Sequence, residues 1–94
     1  MRKVDLYQIE LGPYGEPADW QEFQLRGDIV MIGTQTSAFL NFWAIEDSDV
    51  TPETVRLRVF KTGEEIPAGA TVHGSCWDPF QGMTMVHLVQ DLSV

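Results

Sequence analysis

Very little in this chain announces a chemistry. A single cysteine, Cys76, excludes an intramolecular disulfide and with it the stapled framework of small secreted domains. Basic residues are scarce, 6 against 14 acidic ones, and the formal net charge is -8. Such a surface is repelled by phosphate backbones and anionic membranes, so neither nucleic acid nor a membrane is an expected partner, and basic proteins fit it better. No run approaches the ~20 apolar residues that span a bilayer. The opening MRKVDLYQIEL alternates polar and apolar residues where a signal peptide needs an unbroken apolar stretch, so a soluble, reducing compartment, the cytoplasm, is expected. No window carries a 3.6-residue apolar period, which excludes a doubly wound α/β fold. There is no phosphate loop, no internal repeat and no low-complexity segment.

What is present is apolar residues in short alternating runs. With 44% hydrophobic residues, 94 residues can build one core, and there is no room for a second domain. Val4 to Leu11 reads as a strand with Tyr7, Ile9 and Leu11 on one side. Gly12 to Asp19 (GPYGEPAD), with two prolines and two glycines, must be a loop. Phe23 and Leu25 mark a short strand ending at a Gly27-Asp28 turn. Ile29 to Thr34 is apolar on both faces, and Gly33 suggests a bulge or a close backbone approach.

Ser37 to Phe60 reads as one β-hairpin entered by a reversal at Thr36-Ser37. Its first strand is apolar on both faces and therefore central in a sheet or at a subunit contact; its second carries arginines on one face only. The register with Glu46 opposite Arg56, Ala44 opposite Arg58 and Phe42 opposite Phe60 satisfies both faces and places Trp43 in the core. The loop Ser48 to Glu53 is expected to hold one helical turn, with Thr51 as N-cap and Pro52 first. Lys61 to Ala70 is turn-rich, Thr71 to Trp77 is a strand, Asp78 to Gly82 a tight reversal, and Met83 to Gln90 the last strand. Six or seven short strands predict an all-β antiparallel domain, a small barrel or a two-layer sandwich.

Catalytic and metal sets are thin. Cys76 with His87 as base, beside His73 and Asp78, is the only source of a thiol nucleophile, and no signature surrounds the cysteine. His73, Cys76 and His87 supply three zinc ligands at most, at a spacing of no zinc module. Glu46, Asp47, Asp49 and Glu53 cluster, but Val50 and Pro52 interrupt and the glycine of a calcium loop is missing. The expectation is no catalytic residue, no metal and no cofactor. Binding is better provided for. Arg56 and Arg58 share a strand face about 7 Å apart and could clamp a carboxylate or phosphate, with Arg58, over small Ala44, the freer of the two. Tyr14, Trp20 and Phe80 lie in or beside turns, where large aromatics suit a recognition surface. Two strands apolar on both faces leave more surface than the chain can cover, which predicts a homodimer or larger homo-oligomer.

The succession Gly33-Thr34-Gln35, Phe42-Trp43-Ala44, Arg58-Val59-Phe60-Lys61-Thr62-Gly63, Ile66-Pro67 and Val86-His87-Leu88 resembles a family of small uncharacterised proteins encoded by tailed phages and prophages. The likeness covers most of the chain after the Gly12 to Asp19 loop. It departs at Lys61, where glycine is usual, and at Glu64-Glu65, where less acidic residues stand. The resemblance implies a phage origin and the host-cell cytoplasm, and no particular activity. The function expected is an acidic binding module that acts on a host protein or sequesters a small ligand without catalysis; the alternative is a structural or assembly component of the phage particle.

Overall fold

The computed structural model describes residues 1–12, 18–34, 38–78 and 84–92. Among these residues seven strands form two antiparallel sheets packed as a sandwich, and the sheets do not close into a barrel. One sheet has the order β1 (Arg2–Glu10), β4 (Phe39–Asp47), β3 (Ile29–Thr34). The other has the order β2 (Gln21–Leu25), β5 (Glu53–Lys61), β7 (Thr84–Asp91), β6 (Thr71–Asp78). Among the described residues there is no helix, so none is long and apolar enough to cross a membrane.

Alternation decides which side of each strand is buried. On β4, Leu40, Phe42 and Ala44 are fully buried and face Leu57 and Val59 of β5 and Val86 and Leu88 of β7 across the core. Ile9 and Leu11 continue the set from β1, and Leu25 closes it from β2. The Phe42 ring lies at its centre, stacked on Tyr7 at 5.3 Å and edge-on to Phe23 at 5.3 Å. The Tyr7 hydroxyl donates to a carboxylate oxygen of Glu46 at 3.2 Å, and burial, reinforced by that carboxylate, raises the phenol above its ordinary range near 10.

The expected hairpin does not form. β4 and β5 are both present within a residue or two of the predicted bounds, but β4 pairs with β1 and β3 whereas β5 pairs with β2 and β7. Residues 48–52 carry the chain from one sheet to the other, and Glu46 does not face Arg56. The physical reason is that β4, apolar on both sides, gives one face to the opposite sheet instead of sharing a sheet with β5. Trp43 is corrected with it: it shares the outward side with Phe39 and Ile45, half-buried, and its ring rests against Gly33. The helical turn expected at Ser48 to Glu53 is also absent. Val50 N–H donates to the Asp47 carbonyl at 3.1 Å in a simple turn, and Glu53 already opens β5. The bulge in β3 falls between Ile29 and Met31 rather than at Gly33. The reversals expected at Thr36-Ser37 and after Asp78 lie outside the described residues, and Asp78 itself ends β6.

Two glycines hold the connections. Gly12 has φ +85°, and a Cβ there would stand 2.8 Å from the Ala18 nitrogen. At Gly27 a Cβ would meet the Ile45 carbonyl oxygen at 2.6 Å, so the β2–β3 turn can press on β4 only without a side chain. The sheets are also joined by Gln21, whose side-chain amide accepts from Glu10 N–H at 3.3 Å and donates to Glu10 C=O at 3.4 Å. That amide caps the end of β1 as a neighbouring strand would.

Candidate functional site

The outward side of the four-stranded sheet gathers most of the residues singled out by sequence. On β5, Arg56, Arg58 and Phe60 alternate with the core residues Leu57 and Val59 and so point away from the core. Trp20, just before β2, comes over the same side: its ring meets Phe60 edge-on at 5.8 Å, and the Arg56 guanidinium stands 5.4 Å above it. The Arg58 guanidinium covers the Phe60 ring at 4.3 Å. Arg56, Trp20, Phe60 and Arg58 are therefore one stacked series in which each cation lies on an aromatic face. Tyr14 and Phe80 lie outside the described residues.

Both arginines are engaged by carboxylates. Arg56 pairs with Asp91 of β7 at 3.4 Å. Arg58 pairs with Glu64 at 3.5 Å, and the other Glu64 oxygen accepts from Lys61 N–H at 2.7 Å. The reading of Arg58 as the freer ligand contact rested on the hairpin, and it falls with it: Glu64 in the β5–β6 connection returns over the strand and holds the guanidinium. Glu64 was the missed partner. Its signal in sequence was a carboxylate just past the Thr62-Gly63 turn, within reach of the strand end it had left.

The same connection builds a second layer on this side. Phe60 and Val89 point outward yet are 2% and 0% exposed, because Trp20, Arg58 and the 62–70 segment cover them. A cavity of about 270 Å³ remains between segment and sheet, lined by Phe60, Val72, Val89, Ile66, Glu64 and His87 among others. Ile66 and Val72 on its rim are nearly half exposed, and Trp77, farther along β6, is 59% exposed.

His87 occupies the edge of this cavity. Ser75 Oγ lies 2.6 Å from its Nδ1, and Thr62 Oγ1 lies 2.8 Å from its Nε2. Strand pairing explains the geometry: Ser75 is opposite His87, while Cys76 is opposite Val86. Cys76 thus points to the core side and His87 to the outer side, and the thiol–imidazole pair considered from sequence is not assembled. His73 is separate again, bonded to Gln90 at 2.7 Å in a groove of about 970 Å³ at one end of the sandwich. Among the described residues no three His, Cys, Asp or Glu side chains gather as a metal site. Beside the large groove Arg26 is paired with Glu46 at 3.4 Å.

The domain of unknown function DUF7352 matches residues 2–93. The chain belongs to this family. No curated protein and no solved structure matches the chain. For this DUF7352 member, geometry is therefore the ground on which function is argued.

Proposed function

We propose that this DUF7352 domain is a phage-encoded binding module that works without catalysis in the host-cell cytoplasm, docking on a host protein through the outward side of its four-stranded sheet. The observation that carries the reading is the cavity of about 270 Å³ rimmed by exposed Ile66 and Val72, with Phe60 and Val89 buried beneath it. A volume of that order suits an apolar side chain or two of a protein partner and falls below the several hundred Å³ usual for enclosing a small molecule. The stacked Arg56, Trp20, Phe60 and Arg58 hold the floor rigid, so little ordering cost is added on docking. Exposed Trp77 supplies the kind of aromatic anchor that dominates binding energy. The net charge of -8 favours a partner whose inserted side chain is flanked by Lys or Arg. Phage origin and cytoplasmic location rest on the motif likeness described above.

The absence of bond chemistry is part of the same reading. The Ser75–His87 contact resembles the first half of a nucleophile and base, but the group on the far ring nitrogen is the hydroxyl of Thr62. A hydroxyl orients imidazole without stabilising the imidazolium that proton abstraction creates, whereas a carboxylate does both. The test is capture from host lysate on immobilised protein. A specific protein is expected on the wild type and expected to be lost on Val72→Glu and on Trp77→Ala. Capture indifferent to both substitutions, or none at all, overturns the reading.

A further inference from the structure

The outward side of the three-stranded sheet is used by nothing described so far. Its side chains form rows across the strands. Leu6, Trp43 and Met31 are opposite one another and make the middle row; Val4 and Ile45 make the next, with Val30 at the bulge beside them. On the other side of the middle row lie Gln8, Asn41 and Gly33, then Glu10 and Phe39. Val4, Leu6, Val30 and Met31 are 58%, 50%, 52% and 61% exposed. With half-buried Trp43 and Ile45 they present on the order of 400 Å² of apolar surface, as large as the main patch of a typical monomer and commonly functional.

The geometry points to a second copy of this chain as the occupant, placed by a two-fold axis that runs across the strands along the Leu6–Trp43–Met31 row. This inference is independent of the docking reading, since it uses the opposite side of the sandwich. Two features fit self-pairing. Along β1 the outward residues run Arg2, Val4, Leu6, Gln8, Glu10, four residues from Leu6 to each end. An axis at Leu6 reverses the strand and lays Arg2 of one copy over Glu10 of the other, twice. Both side chains are exposed, and neither forms an ion pair among the described residues. In addition, the apolar rows together with exposed Arg2, Gln8 and Glu10 approach the roughly 800 Å² per partner that a stable contact needs, which the apolar rows alone do not reach.

Sedimentation equilibrium of the full chain over concentrations up to about 100 µM tests it. Wild type is expected to sediment at twice its 10.6 kDa chain mass. Leu6→Lys and Met31→Lys, both at exposed positions, are expected to weaken association at least tenfold while keeping the wild-type circular dichroism. Arg2→Glu and Glu10→Arg should each weaken it several-fold, and the double variant should restore it, which identifies the antiparallel two-fold and no other arrangement. A monomer throughout overturns the proposal, as does a dimer insensitive to Leu6→Lys and Met31→Lys, which would place the contact at a sheet edge. A dimer that loses affinity on those two changes but not on Arg2→Glu uses this side in another orientation and overturns the axis.

Discussion

Truncation of Phe42 and of its neighbour Trp43 separates the inside of the three-stranded sheet from its outside. Phe42 is 0% exposed and touches both Tyr7 and Phe23 with its ring faces or edges. Removing a core phenylalanine costs about 3 to 5 kcal/mol, and two aromatic contacts put Phe42→Ala toward the upper end of that range. Trp43 lies outward with its ring on Gly33 and keeps part of its surface in solvent, so Trp43→Ala forfeits about 2 to 3 kcal/mol of burial. For a domain of this size the whole stability is roughly 5 to 14 kcal/mol, so the first change brings the fold near its limit and the second does not. Urea melts followed by circular dichroism, at one low protein concentration so that self-association does not contribute, read the difference. With m near 1 to 1.5 kcal/mol/M, the midpoint should fall by about 3 to 4 M for Phe42→Ala and by about 2 M for Trp43→Ala. If Trp43→Ala proves the more damaging, β4 is out of register by one residue, and the core and both outer faces are misassigned.

Tyr7 makes stability pH-dependent at the alkaline end. Its folded phenol titrates above the unfolded value near 10, so its contribution is fully present below pH 10 and is lost as pH rises through the folded value; Tyr7→Phe should flatten the fall in urea midpoint above about pH 10, and an unchanged slope would count against the Glu46 contact. Gly12→Ala must accept both φ +85° and a clash with Ala18, whereas Gly63→Ala meets φ +96° in open space, so thermal melts should show Gly12→Ala the more destabilising, by about 2 kcal/mol against about 1. Asn41 is fully buried with neither its amide nitrogen nor its oxygen partnered among the described residues, and Asn41→Leu, of similar shape, should leave chemical stability unchanged or raise it by about 1 kcal/mol; a loss above 2 would reveal a partner for the amide. Arg58→Ala removes a partly exposed ion pair and uncovers Phe60, for a loss of about 1 kcal/mol in the same urea assay.

Strand positions and the burial of alternate residues were legible in the chain because alternation is local: β3 runs from Ile29 to Thr34 as read, and Leu57 and Val59 are inward with Arg56 and Arg58 outward. Strand pairing was not legible. A five-residue link between two strands can close a hairpin or cross between sheets, and both solutions give the same inward and outward sides on β5. They differ on β4, whose two apolar faces left open whether Phe42 or Trp43 met the core. The candidate site was legible in part for the same reason. Arg56, Arg58 and Trp20 do converge, because the strand pattern set the arginines on one side and Trp20 precedes a strand paired to theirs. Their neutralisation by Asp91 and Glu64 was hidden, because it depends on the β5–β7 pairing and on a loop that doubles back. Ser75 and His87 were separable from Cys76 only once the β6–β7 register, with its shift between Val72 and Gly74, was known.

The central claim is that binding occurs on the outward side of the four-stranded sheet, and side-by-side capture from one host lysate addresses it directly. Wild type, Val72→Glu on that side and Met31→Lys on the opposite side are immobilised at equal density, each with wild-type circular dichroism. The account predicts one protein held by wild type and by Met31→Lys and absent from Val72→Glu. Retention on Val72→Glu together with loss on Met31→Lys would contradict it and move recognition to the three-stranded sheet.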